Sequence, residues 1–251
     1  MNTVHRFDGK VADYDQYRER YSPDVLLPIL REQCGLSPEW LIADIGAGTG
    51  MLSDVFLANG NQVVAVEPNA EMRQACGESH RGMSLQVVEG TAENTELATA
   101  SVDMVTAGRA MHWFDLERSM KEFRSILKPG GWVAVIAFGR TEQGCDENVA
   151  VEQVLRRFSS DGKDTHAGYT IYRKLAEYIP RNYYQQQIVS TTTLSWENLH
   201  GLVMSLSASP RRADPNYPAF EQELRRVFET YERDGKMRIE TRYWINLGQF
   251  A

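Results

Sequence analysis

Residues 41–50 read LIADIGAGTG, a short apolar run that reaches an acidic residue and is followed by three glycines at alternate positions. This pattern predicts a buried strand that enters a tight turn. Glycine lets the backbone approach a ligand closely and adopt torsions that other residues avoid. Residues 51–59 have helical spacing and precede Gly60, so the turn should lead into a helix whose first N–H groups can face a polar or anionic group. Alone, this loop fits either a ligand site or a simple strand-to-helix turn.

Strand and helix patterns alternate on the C-terminal side of this loop. Apolar runs predict further strands, and polar-apolar periodicity predicts the helices between them. The strands are expected at 62–68, 85–93, 101–110 and 132–139, and the helices at 69–78 and 115–127, the latter ending at KPGG (128–131). Short connections between alternating elements predict a parallel sheet covered on both faces.

The regular alternation of strand and helix patterns ends after residue 140. Residues 145–180 look mainly helical, 183–196 have strand composition, and 237–250 alternate like a terminal strand. Helices are expected at 197–208 and 217–233, and also in the N-terminal segment, at 1–21 and 24–33. These helical segments predict a cap over the sheet.

Glu67 adds a second signal, since it ends the predicted second strand 21 positions after Gly46. In doubly wound sheets an acidic residue near this position binds the two ribose hydroxyls of a nucleotide, and a carboxylate has two oxygens for a vicinal diol. The two elements together predict an adenine nucleoside at the switch point of the sheet.

The loop spacing separates two classes of nucleoside ligand. A dinucleotide fingerprint reads G-x-G-x-x-G, whereas this loop reads G-x-G-x-G and has Met51 at the place of the third fingerprint glycine. Asp44 directly before the loop would repel a pyrophosphate and suits an ammonium group. The pattern therefore favours S-adenosylmethionine, with an NAD(P)-dependent oxidoreductase as an alternative.

Five segments together resemble the successive motifs of class I S-adenosylmethionine-dependent methyltransferases. They are ADIGAGTG (43–50), VVAVEPNAEM (63–72), EGTAENTEL (89–97), VTAGRAMHWFD (105–115) and LKPGGWVAV (127–135). The opening YDQYRERYSPDVLLPIL (14–30) is similar to the first helix of small-molecule enzymes of the trans-aconitate methyltransferase type.

The resemblance implies a Rossmann-like, seven-stranded, doubly wound α/β sheet whose last strand is antiparallel. It implies one domain over 1–251, with lid helices at 1–35 and a cofactor-binding core at 36–140. Helical cap insertions would occupy 141–182 and 197–235, and the final strands 183–196 and 236–251.

The resemblance also implies the residues around S-adenosylmethionine and its product S-adenosylhomocysteine. The loop would face the methionyl end, Glu67 the ribose, and residues after the second and third strands the adenine. The end of the fourth strand would line the pocket near the methyl donor, and the N-terminal aromatic residues would form a lid. The set is Tyr14, Tyr17, Arg18, Tyr21, Asp44, Gly46, Ala47, Gly48, Gly50, Glu67, Pro68, Met72, Thr91, Ala92, Glu93, Ala107, Gly108 and Arg109.

The sequence indicates less clearly which residues contact the methyl acceptor. His112 follows the fourth strand, where acceptors bind, and could be a general base or a group that orients the substrate. Trp113 could face the sulfonium or the substrate, although core packing explains most aromatic residues. Arg211 in the cap could hold an anionic acceptor or be a solvated surface residue.

Composition limits the classes of molecule that the chain is expected to bind. The net charge of -7 disfavours nucleic acid and anionic membranes, which require a basic face. Three widely spaced cysteines indicate neither a disulfide framework nor a metal site. No signal peptide or membrane-spanning run is visible, so a cytoplasmic enzyme is expected.

The expected reaction is methyl transfer by in-line displacement to a small molecule, at the oxygen of a carboxylate or hydroxyl group. N- or C-methylation of a metabolite and non-catalytic cofactor binding remain open, because the acceptor side has no diagnostic motif.

Overall fold

The computed structural model describes residues 20–140, 142, 144–158, 174–206 and 209–251. The strands in this part of the chain are β1 (Leu41–Ile45), β2 (Gln62–Val66), β3 (Leu85–Val88), β4 (Val102–Gly108), β5 (Leu127–Arg140), β6 (Arg181–Leu194) and β7 (Met237–Gln249). The helices are α1 (Pro23–Cys34), α2 (Ser53–Ala58), α3 (Ala70–Ser79), α4 (Leu116–Ile126), α5 (Asp146–Phe158), α6 (Leu175–Tyr178), α7 (Trp196–Met204) and α8 (Tyr217–Tyr231), with a 3₁₀ turn at Met111–Trp113.

The strands form one seven-stranded sheet in the order β3-β2-β1-β4-β5-β7-β6. Strands β1 to β5 pair in parallel, and β7 runs antiparallel to both β5 and β6. The predicted Rossmann-like sheet with an antiparallel last strand is confirmed. The chain moves outward from β1 to β3 and then returns to β4, so the strand order reverses between β1 and β4. Ligands of open α/β sheets bind at such a switch point.

Side-chain caps fix the start of three helices. Asn69, Asp115 and Ser195 each accept a hydrogen bond from the backbone N–H three positions later, at 2.9, 3.1 and 3.3 Å. Such caps satisfy one of the N–H groups that a helix leaves without an internal partner. Asn69 therefore caps α3, at the first position of the helix expected over 69–78.

The central strands β1, β2, β4 and β5 are largely buried on both faces, as their apolar sequences predict, whereas β6 at one edge of the sheet is mostly exposed. One core cluster joins α1 and α2 to one face, with Leu26, Phe56 and Met104 fully buried. The second joins α4 and α6 to the other face around Phe123. Successive side chains of β4 belong to opposite clusters, so both faces of this strand are buried against apolar residues.

A third apolar cluster lies in the C-terminal half. Helices α5, α7 and α8 pack together around Phe220 and Leu224 and against Met237 and Ile239 at the start of β7. These helices fall within the segments predicted as cap insertions, except that α7 begins one residue earlier, at Trp196.

The KPGG segment differs from its prediction as a break between helix and strand. Helix α4 does end at Ile126, but β5 begins at Leu127, which pairs with Val102. The next pair is Met104 with Trp132, so the segment is an irregularity within the β4–β5 pairing. Gly131 permits it because a Cβ there would lie 3.0 Å from the Asp103 carbonyl oxygen. Such close backbone packing is not visible in a local sequence pattern.

Candidate functional site

A cavity of about 270 Å³ lies at the carboxyl ends of β1, β2 and β4, at the switch point of the sheet. Its wall is built from the loops that follow these strands and β3, together with Tyr21 before α1. The lining residues are Tyr21, Asp44, Gly46, Ala47, Gly48, Thr49, Met51, Leu52, Glu67, Pro68, Asn69, Met72, Thr91, Ala92, Glu93, Gly108, Arg109, Ala110, His112, Trp113 and Phe114.

The glycines of the loop after β1 serve different purposes. Gly48 has a φ of 60°, lines the cavity, and has open space where a Cβ would be. Gly50 has a φ of 89°, but it turns away from the cavity and packs against His80 and Cys76 of the α3 region. One glycine thus shapes the cavity, while the other attaches the loop to the helix behind it.

Helix α2 begins later than the sequence pattern predicted. Its first residue is Ser53, two positions after the predicted start, and it has six residues. The Ser53 hydroxyl donates to Asp44 Oδ2 at 2.7 Å. The residues between Gly50 and Ser53 form turns, so the loop itself, rather than the first turn of a helix, faces the cavity.

Asp44 contributes a buried acceptor to the cavity wall. Its residue exposure is 0%, and burial raises the pKa of its carboxyl group to about 7. Among the described residues, neither its Oδ1 atom nor Oγ1 of Thr49 has a hydrogen-bond partner. A buried polar atom without a partner costs about 1–3 kcal/mol, so a ligand that donates to these atoms would recover that cost.

Glu67 links the loops that follow β1 and β2. Its Oε2 accepts from the Gly48 N–H and its Oε1 accepts from the Asn69 N–H, both at 2.9 Å. Burial raises the pKa of this carboxyl group. Each carboxylate oxygen has a further lone pair, so the oriented group can still accept from a pair of hydroxyls.

Beyond Glu67, the cavity wall consists mainly of apolar side chains and of the carboxylate of Glu93. Met72 and Ala92 are buried, and Pro68 and Thr91 lie beside them along the cavity. Glu93 Oε1 accepts from the Asp115 N–H at 2.8 Å, which attaches the loop after β3 to the start of α4.

The β4 end of the cavity is lined by Gly108, Arg109 and Tyr21. The Tyr21 hydroxyl donates to the Ile136 carbonyl oxygen at 3.2 Å and would lie 2.6 Å from a Cβ on Gly108. Arg109 has a φ of 53°, and its guanidinium lies 4.2 Å from the centre of the Phe138 ring.

The 3₁₀ turn after β4 places His112 and Trp113 at the rim of the cavity. Both side chains are exposed, and their ring centroids are 4.6 Å apart. Met111 between them and β4 is fully buried and anchors the turn. Together with Thr91, His112 and Trp113 are the exposed lining residues, and a second molecule could enter beside them.

Several predicted site residues do not line the cavity. Gly50 faces His80, the Ala107 side chain is buried in the second core cluster, and Arg211 lies exposed between α7 and α8. Alternation along β4 explains Ala107, because its neighbour Gly108 takes the cavity side. Tyr14, Tyr17 and Arg18 lie outside the described residues.

Six lining residues were not predicted: Thr49, Met51, Leu52, Asn69, Ala110 and Phe114. Five of them adjoin predicted residues along the chain, and Leu52 lies two positions after Gly50. Motif membership was a signal for all of them except Met51 and Leu52, but which side chains of a loop face inward depends on the backbone path.

Within the described ranges, no group of three or more His, Cys, Asp or Glu side chains could hold a metal ion. In the same ranges, no helix combines the length and apolar character that crossing a membrane requires.

Residues 43–135 match the family model of a methyltransferase domain. An uncharacterized methyltransferase of Schizosaccharomyces pombe is 28% identical over 233 residues, which cover 90% of this chain and 88% of that protein. A malonyl-[acyl-carrier protein] O-methyltransferase of Pectobacterium atrosepticum is 34% identical over 140 residues, or 54% of this chain and 52% of that protein. The latter alignment thus spans about half of each chain.

Solved structures share the fold. One described as a type II methyltransferase from Anaeromyxobacter dehalogenans has a TM-score of 0.68 and 24% identity, and the alignment covers 93% of this chain and 98% of that one. The [4+2]-cyclase SpnF has a TM-score of 0.55 and 14% identity, with 99% and 95% covered. Since one of these neighbours is a cyclase, the fold alone does not determine the reaction.

Proposed function

Since the chain belongs to the class I S-adenosylmethionine-dependent methyltransferases, we propose that it methylates an oxygen atom of a small molecule, either a carboxylate or a hydroxyl. The observation that carries this proposal is a set of hydrogen-bond acceptor atoms that line one cavity. The cavity opens beside His112 and Trp113. The carboxylates of Asp44 and Glu67 are buried, whereas His112 and Trp113 are exposed.

The hydrogen-bond acceptors of the cavity match the donor groups of S-adenosylmethionine. Asp44 Oδ1 and Thr49 Oγ1 are buried without partners and match an ammonium donor. The Glu67 carboxylate, oriented by two backbone N–H groups, matches a ribose diol. A pyrophosphate would instead meet two carboxylates, which argues against a dinucleotide.

The proposed binding roles follow from these positions. Glu67 would hold the ribose, Met72 and Ala92 would contact the adenine, and Asp44 and Thr49 would hold the methionyl end. Tyr21 lies on the β4 side, where an aromatic face favours a nearby sulfonium. When bound, the cofactor supplies a methyl group that is already strongly electrophilic.

The contribution of the chain to catalysis is then mainly positioning, which can supply several kcal/mol of barrier reduction. A hydroxyl acceptor loses a proton, and His112, which lines the cavity rim, would take it. A carboxylate acceptor needs no base, and His112 would then orient it.

The test has two separate readouts. Isothermal titration with S-adenosylhomocysteine measures cofactor binding, and transfer of the labelled methyl group from S-adenosylmethionine to a panel of carboxylic acids, alcohols, phenols and amines measures the reaction. We expect binding and transfer to oxygen. Transfer to amines alone would contradict O-methylation, and binding without transfer to any acceptor would indicate a non-catalytic role.

A further inference from the structure

The two edges of the sheet differ in length. The strand at one edge, β3, has four residues, whereas β6 at the other edge has 14. Strand β6 pairs with β7 on its inner side, and among the described residues no strand pairs with its outer side. An edge strand presents a row of backbone N–H and C=O groups that can pair with another strand. The β6 edge therefore offers a long surface for such pairing.

Strand β6 lacks the features that usually keep an edge strand from pairing. Charged side chains, proline and short length are the common ones. Residues 182–194 read NYYQQQIVSTTTL and contain no charged residue, proline or glycine. The one irregularity in the pairing of β6 with β7 lies between Arg181 and Tyr184, and the pairing is regular from Tyr184 to Leu194. Most of this edge is thus regular and uncharged.

The side chains at the centre of β6 include an exposed apolar residue. Gln185, Gln187, Val189 and Thr191 are exposed, and the residues between them are half-buried. Val189 is 48% exposed, which is unusual in the described part of the chain for a large hydrophobic side chain. A strand that paired with this edge would cover it.

The charged residues nearest to this segment have opposite signs. Arg181 precedes the segment, Glu197 follows it, and both are exposed. If two copies pair antiparallel, the Arg181 end of each strand lies toward the Glu197 end of the other. Charged residues of β7 are three strand spacings, or at least about 14 Å, from their copies, a distance at which exposed charges are largely screened. The β6 edge is therefore complementary to itself, although the net charge of -7 makes two copies repel elsewhere.

Symmetry restricts the register of such a pair. A two-fold axis that relates two antiparallel strands is perpendicular to the sheet, so side chains on one face oppose side chains of the same face. The exposed positions of β6 must then oppose one another. Among Gln185, Gln187, Val189, Thr191 and Thr193, Val189 is the one apolar residue. It has an apolar partner from this set when the axis passes through Val189 itself.

We propose that β6 is a self-association surface, at which two copies of the chain pair antiparallel about a two-fold axis at Val189. In this register the glutamines at 185–187 oppose the threonines at 191–193, and Tyr184 opposes Leu194. Directly opposed side chains of this kind contribute to the stability of a sheet. The two seven-stranded sheets become one continuous sheet. The proposal concerns the assembly of the chain and does not depend on the reaction.

The test measures the mass of the full chain by sedimentation velocity over a concentration series from about 1 to 100 µM, where weak dimers dissociate. It compares wild type with Val189→Lys, with Val189→Glu, and with an equimolar mixture of the two variants. The matched controls are Met83→Lys and Met83→Glu, because Met83 is 54% exposed and lies two positions before β3 at the opposite edge of the sheet. Circular dichroism and Tm establish that each variant is folded.

We expect wild type to form a dimer whose fraction increases with concentration. Each Val189 variant should raise the Kd of the dimer at least about tenfold, because two like charges oppose each other at the axis. The mixture should associate within about threefold of wild type, since opposite charges then face each other. A folding defect would not be rescued by mixing. The Met83 variants should dimerise as wild type does.

Three results would overturn the inference. Wild type could remain monomeric throughout the series. The Val189 variants could dimerise as strongly as wild type, which would place the interface elsewhere on the molecule. The mixture could remain as monomeric as its components, which would show that Val189 does not oppose its own copy.

Discussion

A Cβ atom on Gly50 would lie 2.5 Å from Cε1 of His80 and 3.0 Å from Sγ of Cys76. The third glycine of the loop is therefore required by the helix behind the loop rather than by the ligand in front of it. His80 in turn bonds the Cys76 carbonyl through Nδ1 at 2.7 Å and Asp54 through Nε2 at 2.9 Å. The cofactor loop thus rests on a small buried network that joins α2 to the end of α3.

The two loop glycines should respond differently to alanine. Gly50→Ala meets both a positive φ and a side chain, so we expect it to lower the free energy of unfolding by about 3 kcal/mol. Gly48→Ala has open space and should cost only about 1 kcal/mol, while its methyl group enters the cavity. Urea denaturation and titration with S-adenosylhomocysteine measure both effects. Equal stability losses in the two variants would contradict this division of roles.

The His80 network should stabilise the protein in a pH-dependent manner. The hydrogen bond to Asp54 is the main cause that raises the pKa of His80 from 6.5 to about 10. Because the folded pKa is raised, the stabilisation is complete below about pH 6.5 and is lost as the pH rises through about 10. Unfolding of wild type and His80→Gln at pH 6 and pH 9.5 should show a difference that shrinks at the higher pH. A difference that is constant or grows would contradict the imidazolium–carboxylate pair.

Asp44 should make cofactor binding depend on pH in the opposite sense. Burial raises its pKa to about 7, so the carboxylate that attracts an ammonium group forms only as the pH rises toward that value. Affinity for S-adenosylhomocysteine should therefore increase from pH 5.5 to 7.5, by up to about tenfold per pH unit, and then level off. The same raised pKa means that Asp44 lowers the stability of the ligand-free protein over this range. Asp44→Asn should flatten the binding profile; a profile as steep as that of wild type would assign the titration to another group.

His112 should distinguish the two oxygen acceptors. With a carboxylate substrate, His112→Gln should reduce kcat/KM less than about tenfold, because no proton is removed. With a hydroxyl substrate, loss of a general base should reduce the rate about 10²- to 10⁴-fold. Initial rates between pH 6 and 9 check this, and a large loss on a carboxylate substrate would contradict the base-free reaction.

Local patterns were sufficient for much of the fold. Apolar runs and polar-apolar periodicity predicted the parallel strands and the helices between them, because both patterns depend on neighbours in sequence. The position of Glu67 was predictable for the same reason, since a residue that ends a parallel strand must lie at the ligand edge of the sheet. The antiparallel last strand came from the resemblance to a family.

Other features depend on contacts between distant residues. The path of KPGG within β5 follows from packing on Asp103, and the direction of Gly50 follows from His80. The left-handed backbone at Arg109 could not be predicted locally, because the position carries neither glycine nor asparagine. The Arg109 guanidinium packs on Phe138 of the neighbouring strand. The sequence motif did indicate that Arg109 lies near the pocket, and the structure places it among the lining residues.

The most direct test of the account is titration of S-adenosylhomocysteine into wild type and Glu67→Gln, with Glu117→Gln on the exposed side of α4 as the control and with NAD⁺ as a competitor. We predict one-site binding that NAD⁺ does not displace, about 10- to 100-fold weaker in Glu67→Gln and unchanged in Glu117→Gln. Binding that is equal in all three proteins, or displacement by NAD⁺, would contradict a cavity built around Glu67 for S-adenosylmethionine.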